Sequence, residues 1–208
     1  DRAIPYTYVG NPLAQKYAGM NGYAAGGSIA LLPGSRAQEI ARLVPEFIAV
    51  AQSMPEQTFV LIRSESSLPV WPDRSLPANV ELFTGELKDG LKNSAAALVC
   101  SGTATLEVAL LGVPQLVVYR ANPISLALAK RFVKISYFSL PNLILDAPAL
   151  PELLQEDARA KVLVQRLGAL LLDSSTQLDA YARLRQILEQ KDPAAYAAQP
   201  ILKIASKS

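Results

Sequence analysis

The 208-residue chain contains no histidine and a single cysteine, Cys100. One cysteine cannot form an internal disulfide, and without histidine the chain can assemble neither a histidine-ligated zinc site nor a nucleophile activated by an imidazole. Cys100 ends an apolar run, where a small buried residue fits, so a reactive thiol is not expected there. Several classes of enzyme are therefore excluded by composition.

The chain also lacks long apolar runs and a strong net charge. No stretch approaches the roughly 20 apolar residues that a membrane-spanning helix needs, and the start of the chain lacks the pattern of a signal peptide. The formal net charge is +2 with 18% charged residues, so no nucleic-acid partner is predicted. We expect a soluble, cytoplasmic chain whose 50% hydrophobic residues bury a substantial core.

Two further binding motifs are absent. Gly19, Gly22, Gly26 and Gly27 never form the G-x-G-x-x-G fingerprint of dinucleotide sites, and residues 1–28 are predicted to be a linker with a short helix. No D-x-D pair occurs among the aspartates. A metal–diphosphate clamp built on paired carboxylates is therefore not expected, and no metal or other cofactor is predicted.

What the chain does contain is an alternation of apolar runs and helical patterns. The apolar runs predict strands at 29–32, 58–62, 95–100 and 113–119, and the alternation over 80–84 predicts another. Helical patterns follow Arg36 and recur near 87–92, 101–111 and 124–133, and the proline-rich segment 64–79 is predicted to be a long surface loop. Strands separated by helices predict an α/β fold with a Rossmann-like, doubly wound parallel sheet.

The last part of the chain, from Glu152 to Lys191, is predicted to contain helices only. Two of them, over about 158–172 and 177–190, are expected to cover another part of the protein. The predicted organisation is therefore a linker over 1–28, a Rossmann-like lobe over 29–155, and C-terminal helices with a polar tail over 156–208.

The first candidate site is the turn Pro33-Gly34-Ser35-Arg36, which follows the run 29–32. It offers backbone N–H groups at a helix start and a guanidinium whose fork matches two phosphate oxygens. The same residues also fit an ordinary turn in which Ser35 caps the helix and Arg36 is solvated. The turn alone is therefore not sufficient to predict a phosphate site. Together with a second phosphate-binding motif, it predicts one half of a diphosphate site.

That second motif is Ser101-Gly102-Thr103, where the run 95–100 gives way to a helix. Gly102 permits close backbone approach, the two hydroxyls are donors, and the helix dipole favours an anion. Both turns follow parallel strands, so they are expected at one edge of the sheet. Glu107, one turn further on, is placed to accept hydrogen bonds from a ribose diol, although the dipole alone also favours a glutamate there.

Five short motifs in order along the chain carry a resemblance. They are Leu31-Leu32-Pro33-Gly34-Ser35-Arg36 with Glu39, Ser101-Gly102-Thr103-Ala104-Thr105-Leu106-Glu107, Val117-Val118-Tyr119-Arg120, Ser139-Leu140-Pro141-Asn142 and Pro151-Glu152-Leu153-Leu154-Gln155. From about Val9 to Gln155 the chain resembles the C-terminal half of the lipid-A-disaccharide synthase family. The resemblance implies the C-terminal lobe of a two-lobe, GT-B-type glycosyltransferase with facing Rossmann-like lobes.

The resemblance implies transfer of diacylglucosamine from its UDP donor to diacylglucosamine 1-phosphate in lipid A biosynthesis, with release of UDP. It also implies a set of UDP-binding residues: Gly34, Ser35, Arg36, Ser101, Gly102, Thr103 and Glu107. Further contacts to the sugar or the phosphates are expected from Tyr119, Arg120, Leu140 and Asn142.

Asn142 is the only candidate for catalysis that the resemblance names in this chain. From the residues alone, Pro141 fixes the approach of a loop in which Asn142 presents its amide to a sugar or a phosphate, or else Asn142 is an ordinary turn residue.

Two departures from the family limit what this chain is expected to do. Asn11 stands where the family usually has histidine. The N-terminal lobe, which in the family supplies acceptor binding and the acidic groups proposed for catalysis, has no counterpart in the 208 residues. We therefore expect a donor lobe that binds UDP or a UDP-sugar without full activity and needs the other lobe as its partner.

The family resemblance and the sequence suggest two further partners, a second copy of the chain and the membrane surface. The family exchanges C-terminal segments in dimers, so a homodimer through the late helices is a candidate. A predicted helix over 127–137, with a cluster of lysine and arginine and with Phe132, fits association with the inner face of the inner membrane, although a basic edge of this kind more often belongs to a sheet-covering helix.

Two other functions stay open at this point. A UDP-sugar epimerase shares the two-lobe architecture and a similar nucleotide site, although the motifs at 139–142 and 151–155 speak against it. The second alternative function is that of a non-catalytic lobe, which takes part in assembly by docking through its late helices.

Overall fold

The computed structural model describes residues 10–63, 75–120, 136–189 and 198. The described strands are β1 Tyr23–Leu32, β2 Phe59–Arg63, β3 Val80–Thr84, β4 Ser94–Cys100, β5 Gln115–Tyr119 and β6 Glu152–Leu154. The described helices are α1 Pro12–Lys16, α2 Ala37–Ser53, α3 Leu87–Gly90, α4 Thr103–Leu110, α5 Leu140–Leu145, α6 Ala160–Leu172 and α7 Ser175–Leu188, with a 3₁₀ turn at Gln155–Ala158. None of these helices is both long enough and apolar enough to cross a membrane.

Two predicted features lie wholly or mostly outside the described residues. The helix predicted over 124–133, with its extension to 137 and Phe132, falls almost entirely in the undescribed range 121–135. Most of the loop predicted over 64–79 falls in the undescribed range 64–74.

The six described strands form a parallel sheet in the order β3-β2-β1-β4-β5-β6. This is the strand order of a Rossmann-type, doubly wound sheet, and the predicted α/β class is confirmed. The order reverses between β1 and β4. In open parallel sheets, that reversal leaves a crevice at the carboxyl ends of the two strands, where ligands bind.

Both faces of the sheet are covered at β2, β4, β5 and the second half of β1, so these segments are mainly apolar on both sides, whereas the edge strand β3 is largely exposed. Along β1, Ile29 and Leu31 pack into a core with α2 and α6, whereas Ala30 and Leu32 pack into a second core with α1, α4 and α7. This alternation follows from the period of two in a strand. Since α6 and α7 contribute to these two cores, the late helices belong to the same packed body as the sheet.

β1 begins at Tyr23, not at Ile29, and the linker predicted over residues 23–28 is wrong. The first residues of the strand pair irregularly with β4, with register shifts on either side of Ser28. Gly26 has φ +75°, and a Cβ on Gly27 would overlap the carbonyl oxygen of Asn93. The glycines are therefore used for a bulge and a close backbone approach, as glycine in a strand often is.

Two elements near the end of the sheet differ from prediction. Glu152–Leu154 is a strand that pairs with β5, where only helices were expected. Three residues are too few to show either periodicity, and only the pairing with β5 reveals the strand. Residues 140–145 form α5 where a loop was expected, and Pro141 fits its first turn because its missing N–H has no helical acceptor there.

Candidate functional site

A cavity of about 420 Å³ opens at the carboxyl ends of β1 and β4, where the strand order reverses. It is lined by the two turns predicted from the sequence and by the β3–α3 connection. The lining residues are Leu32, Gly34, Ser35, Arg36, Glu39, Ile62, Gly85, Leu87, Cys100, Ser101, Gly102, Thr103, Ala104 and Glu107. The structure thus brings all seven predicted UDP contacts to one cavity, and their role in binding stays a prediction.

The Arg36 turn is already engaged by a carboxylate of its own helix. Glu39 Oε2 accepts from the backbone N–H groups of Ser35 and Arg36, each at 3.2 Å, and Oε1 accepts from the Arg36 guanidinium at 2.8 Å. Gly34 has φ +98°, and a Cβ there would overlap Glu39 Oε2. Glu39, rather than Ser35, therefore caps α2, and it occupies the donors that the sequence suggested for a phosphate.

The Ser101 turn is more open. Ser101 Oγ donates to the carbonyl of Phe138 at 2.9 Å, while Gly102 is the N-cap of α4 and Thr103 is exposed. A Cβ built on Gly102 meets no atom within 4 Å. Because the first N–H groups of a helix have no acceptor within it, they are available to an anion beside Gly102.

Glu107 has a partner that the sequence did not indicate. The hydroxyl of Tyr17 donates to Glu107 Oε1 at 2.8 Å. Tyr17 follows α1, whose N-cap is Asn11, with Oδ1 accepting from the N–H of Leu13 at 2.9 Å. Asn11, at the position where a histidine was expected, therefore has a structural role in placing Tyr17.

Tyr119 and Arg120 line a second depression, of about 320 Å³, that shares Arg36 and Glu39 with the main cavity. The Arg120 guanidinium is paired with Glu46 Oε1 at 2.6 Å, and this pair argues against Arg120 as a free phosphate contact. The Tyr119 ring stacks with Phe138 at 6.5 Å between centroids. Leu140, also predicted as a contact, packs against the apolar core and lines neither depression.

The predicted contact of Asn142 with a ligand does not fit the geometry. Its side chain is 1% exposed, and Nδ2 donates to the Leu150 carbonyl and to Glu152 Oε1, each at 2.9 Å. Its Oδ1 accepts from the Leu150 N–H at 2.8 Å. Asn142 borders a different cavity, lined in part by Leu116 and Pro151 at the starts of β5 and β6. In this structure it is a buried scaffold residue.

Glu152 is the centre of that scaffold. Its carboxylate accepts from the backbone N–H groups of Phe138 and Ser139, each at 2.8 Å, from Ser139 Oγ at 2.7 Å and from Asn142 at 2.9 Å. Phe138 in turn accepts from Ser101 Oγ. Glu152 thus holds in place the segment against which one of the two predicted turns rests.

Cys100 forms part of the cavity wall at the end of β4, with 4% of its surface exposed. Burial, followed by the nearby Glu39 charge, raises the pKa of the thiol to about 12. The thiol is therefore protonated at neutral pH and is a packing group.

The described residues contain no group of three or more Cys, Asp or Glu side chains arranged to hold a metal ion. This finding covers only residues 10–63, 75–120, 136–189 and 198. The expectation that the chain uses no metal stays a prediction.

Comparison with protein families identifies close relatives. The family model described as LpxB, lipid-A-disaccharide synthetase, matches residues 1–204. The lipid-A-disaccharide synthase of Pseudomonas entomophila is 35% identical over 97% of this chain and 58% of the relative. That of Rhodospirillum centenum is 31% identical over 98% of this chain and 57% of the relative. The chain therefore spans somewhat more than half the length of the curated relatives it matches.

Solved structures with a similar fold are GT-B glycosyltransferases. The spinosyn rhamnosyltransferase SpnG, complexed with thymidine diphosphate, superposes with a TM-score of 0.59 at 17% identity, covering 94% of this chain and 49% of that one. The glycosyltransferase VinC, in complex with dTDP, gives 0.54 at 18% identity, covering 97% and 46%. At these identities the likeness concerns the fold alone.

Proposed function

Because the chain belongs to the lipid-A-disaccharide synthetase family, we propose that it supplies the donor-binding half of an inverting glycosyltransferase. In this proposal it binds UDP-diacylglucosamine and holds the UDP that leaves as the sugar passes to diacylglucosamine 1-phosphate. The observation that carries the proposal is the convergence of the Arg36 turn, the Ser101 turn and Glu107 on one cavity at the switch point of the sheet.

The phosphates are proposed to lie between the two turns. On one side are the first N–H groups of α4 and the hydroxyl of Thr103. On the other is the Arg36 guanidinium, on a side chain that is 81% exposed. Since Glu39 occupies the N–H groups beside Arg36, a phosphate reaches them only when the carboxylate moves away. Fixed donors at these positions also stabilise the charge that develops on UDP as the bond from the sugar C1 to the phosphate oxygen breaks.

The proposal assigns the ribose to Glu107. This side chain lies one helical turn beyond Thr103 and lines the same cavity, so a nucleoside next to the diphosphate comes within reach of its carboxylate. A carboxylate accepts hydrogen bonds from both hydroxyls of a diol, which is how acidic residues recognise ribose in dinucleotide sites.

The acceptor half of the reaction is proposed to belong to a second lobe. A base must remove the proton from the acceptor hydroxyl as that oxygen attacks C1 from the face opposite UDP. We propose that the second lobe carries the base, that the work is done at the cytoplasmic membrane surface where the acylated substrates lie, and that charge on the diphosphate is neutralised by Arg36 and α4 without a metal ion.

The two alternatives are less well supported. Membership of the family favours glycosyl transfer over epimerisation. The described late helices, α6 and α7, direct their apolar faces into the lobe's own cores, which does not favour a role as docking helices.

The test of UDP binding is the variant Arg36→Ala in the 208-residue chain, measured by isothermal titration calorimetry. Loss of a charge-assisted, bidentate contact is expected to weaken UDP binding roughly 10- to 100-fold. Arg159→Ala is a matched control, because Arg159 is also exposed and paired with a glutamate three residues away, Glu156, but does not line the cavity.

Two results would contradict the proposal. The first is no detectable binding of UDP by the wild-type chain. The second is equal weakening by Arg36→Ala and Arg159→Ala, which would show that the effect comes from surface charge and not from the cavity. Lys in place of Arg36 should recover only part of the affinity, because its single ammonium cannot form the bidentate contact.

A further inference from the structure

Tyr17 connects the first described helix to the cavity. Its side chain is 2% exposed, yet its hydroxyl reaches Glu107 Oε1 at 2.8 Å, across 90 residues of sequence. The helix that precedes it, α1, is fixed by the Asn11 cap and by Pro12 in its first turn. The position of Tyr17 is therefore fixed both by the cap of α1 and by burial of its ring. Its hydroxyl is held within hydrogen-bond distance of the Glu107 carboxylate.

The two oxygens of the Glu107 carboxylate differ in their surroundings. Oε1 accepts from Tyr17, whereas Oε2 has no hydrogen-bond partner among the residues that the structure describes. Glu107 lines the cavity and is only partly buried, so a ligand in the cavity can reach it. A carboxylate held by one fixed donor loses less side-chain entropy when a ligand binds than one that rotates freely.

The Tyr17 hydroxyl is a permanent donor. Burial first, and then the hydrogen bond and the charge of Glu107, raise the pKa of Tyr17 well above its usual range. The phenol stays protonated throughout the physiological pH range, and the hydrogen bond to Glu107 persists.

We propose that Tyr17 is a positioning residue for nucleoside recognition, which holds the Glu107 carboxylate so that Oε2 accepts hydrogen bonds from the ribose hydroxyls of a bound nucleoside diphosphate. This inference rests on the proposed function, because it needs a nucleoside diphosphate in the cavity. It adds a residue outside the two turns, and it makes α1 part of the nucleotide site.

The test compares UDP with 2′-deoxy-UDP on the 208-residue chain by calorimetry. The wild-type chain should prefer UDP, because the 2′-hydroxyl is one of the groups that Glu107 recognises. Tyr17→Phe keeps the buried ring and removes only the donor, and it should lower the preference for UDP over 2′-deoxy-UDP about three- to tenfold. Tyr23→Phe is the matched control, since Tyr23 is partly buried at the start of β1 but does not line the cavity.

A double-mutant cycle separates positioning from general packing. Glu107→Ala should remove the preference for UDP, and adding Tyr17→Phe to it should change nothing further. Equal weakening of both nucleotides by Tyr17→Phe would overturn the inference, as would unchanged binding of both. If the wild-type chain bound neither nucleotide, the proposed function would fall, and this inference with it; binding by wild type with no effect of Tyr17→Phe overturns this inference alone.

Discussion

Replacing Glu152 with alanine is expected to lower the free energy of unfolding by about 3–5 kcal/mol, measured by urea denaturation. The carboxylate accepts four hydrogen bonds, from Phe138 N–H, Ser139 N–H, Ser139 Oγ and the Asn142 amide, at 2.7–2.9 Å. Ser139 and Asn142 are buried, so the donors that lose their acceptor cannot all turn to water. Hydrogen bonds to a charged acceptor are worth more than neutral ones, which is why the loss is large.

The matched control is Glu156→Ala, which should leave the unfolding free energy nearly unchanged. Glu156 is also a glutamate of the β6 region, but its side chain is 78% exposed and its partner is a surface arginine. Glu152→Gln should fall between wild type and Glu152→Ala, because the amide keeps one acceptor oxygen. A loss below about 1 kcal/mol for Glu152→Ala would mean that the segment 138–142 is held by packing and not by this carboxylate.

Gly102→Leu is expected to abolish UDP binding while leaving the chain folded. A Cβ at Gly102 meets no atom within 4 Å, and the residue is exposed, so the fold is expected to accept a larger side chain there. Gly102 lines the cavity and caps α4, so the leucine occupies the space beside the first N–H groups of that helix. Excluding the phosphate from several donors at once should weaken binding at least about 1,000-fold, or about 4 kcal/mol.

Gly168→Leu provides the comparison for this variant. Gly168 also has open space where a Cβ would lie, but it is on α6, away from the cavity. Calorimetry should show wild-type UDP affinity for Gly168→Leu, and circular dichroism should show a native spectrum for both variants. Tight UDP binding by Gly102→Leu would place the phosphates elsewhere and contradict the proposed role of the Ser101 turn.

Much of the fold follows from local sequence patterns, and the parts that do not follow depend on distant partners. β2, β4 and β5 are mainly apolar runs because both faces of the sheet are covered there, so their existence is visible in the sequence. β3, at the edge of the sheet, is visible from the alternation of its residues instead. The first half of β1 is not visible, since Gly26 and Gly27 are typical of a loop. Only the close approach of Asn93, in the turn just before β4, explains Gly27. β6 is likewise defined by its pairing with β5.

The candidate site divides in the same way. The two turns are predictable because polar residues directly after two parallel strands must meet at one sheet edge. The pairing of Tyr17 with Glu107 is not predictable, because no spacing in the sequence links residues 90 positions apart. Asn142 looks like a ligand contact in the sequence, and only the fold shows that Leu150 and Glu152 already satisfy its amide.

Glu39 also affects how the site responds to the anions that surround the protein. Its carboxylate is tethered to the helix that it caps, so it competes for the Ser35 and Arg36 N–H groups at a constant effective concentration that dilution cannot lower. Free inorganic phosphate has no nucleoside to contact Glu107 and only one phosphate to place, whereas UDP in the proposed pose contacts the Arg36 turn, α4 and Glu107 together. We therefore expect inorganic phosphate to be a poor competitor of UDP in the wild-type chain and a better one in Glu39→Gln, as measured by competition calorimetry. An unchanged phosphate affinity in that variant would show that Glu39 is only a helix cap. A higher phosphate affinity would show that Glu39 also keeps free anions from binding at the Arg36 turn.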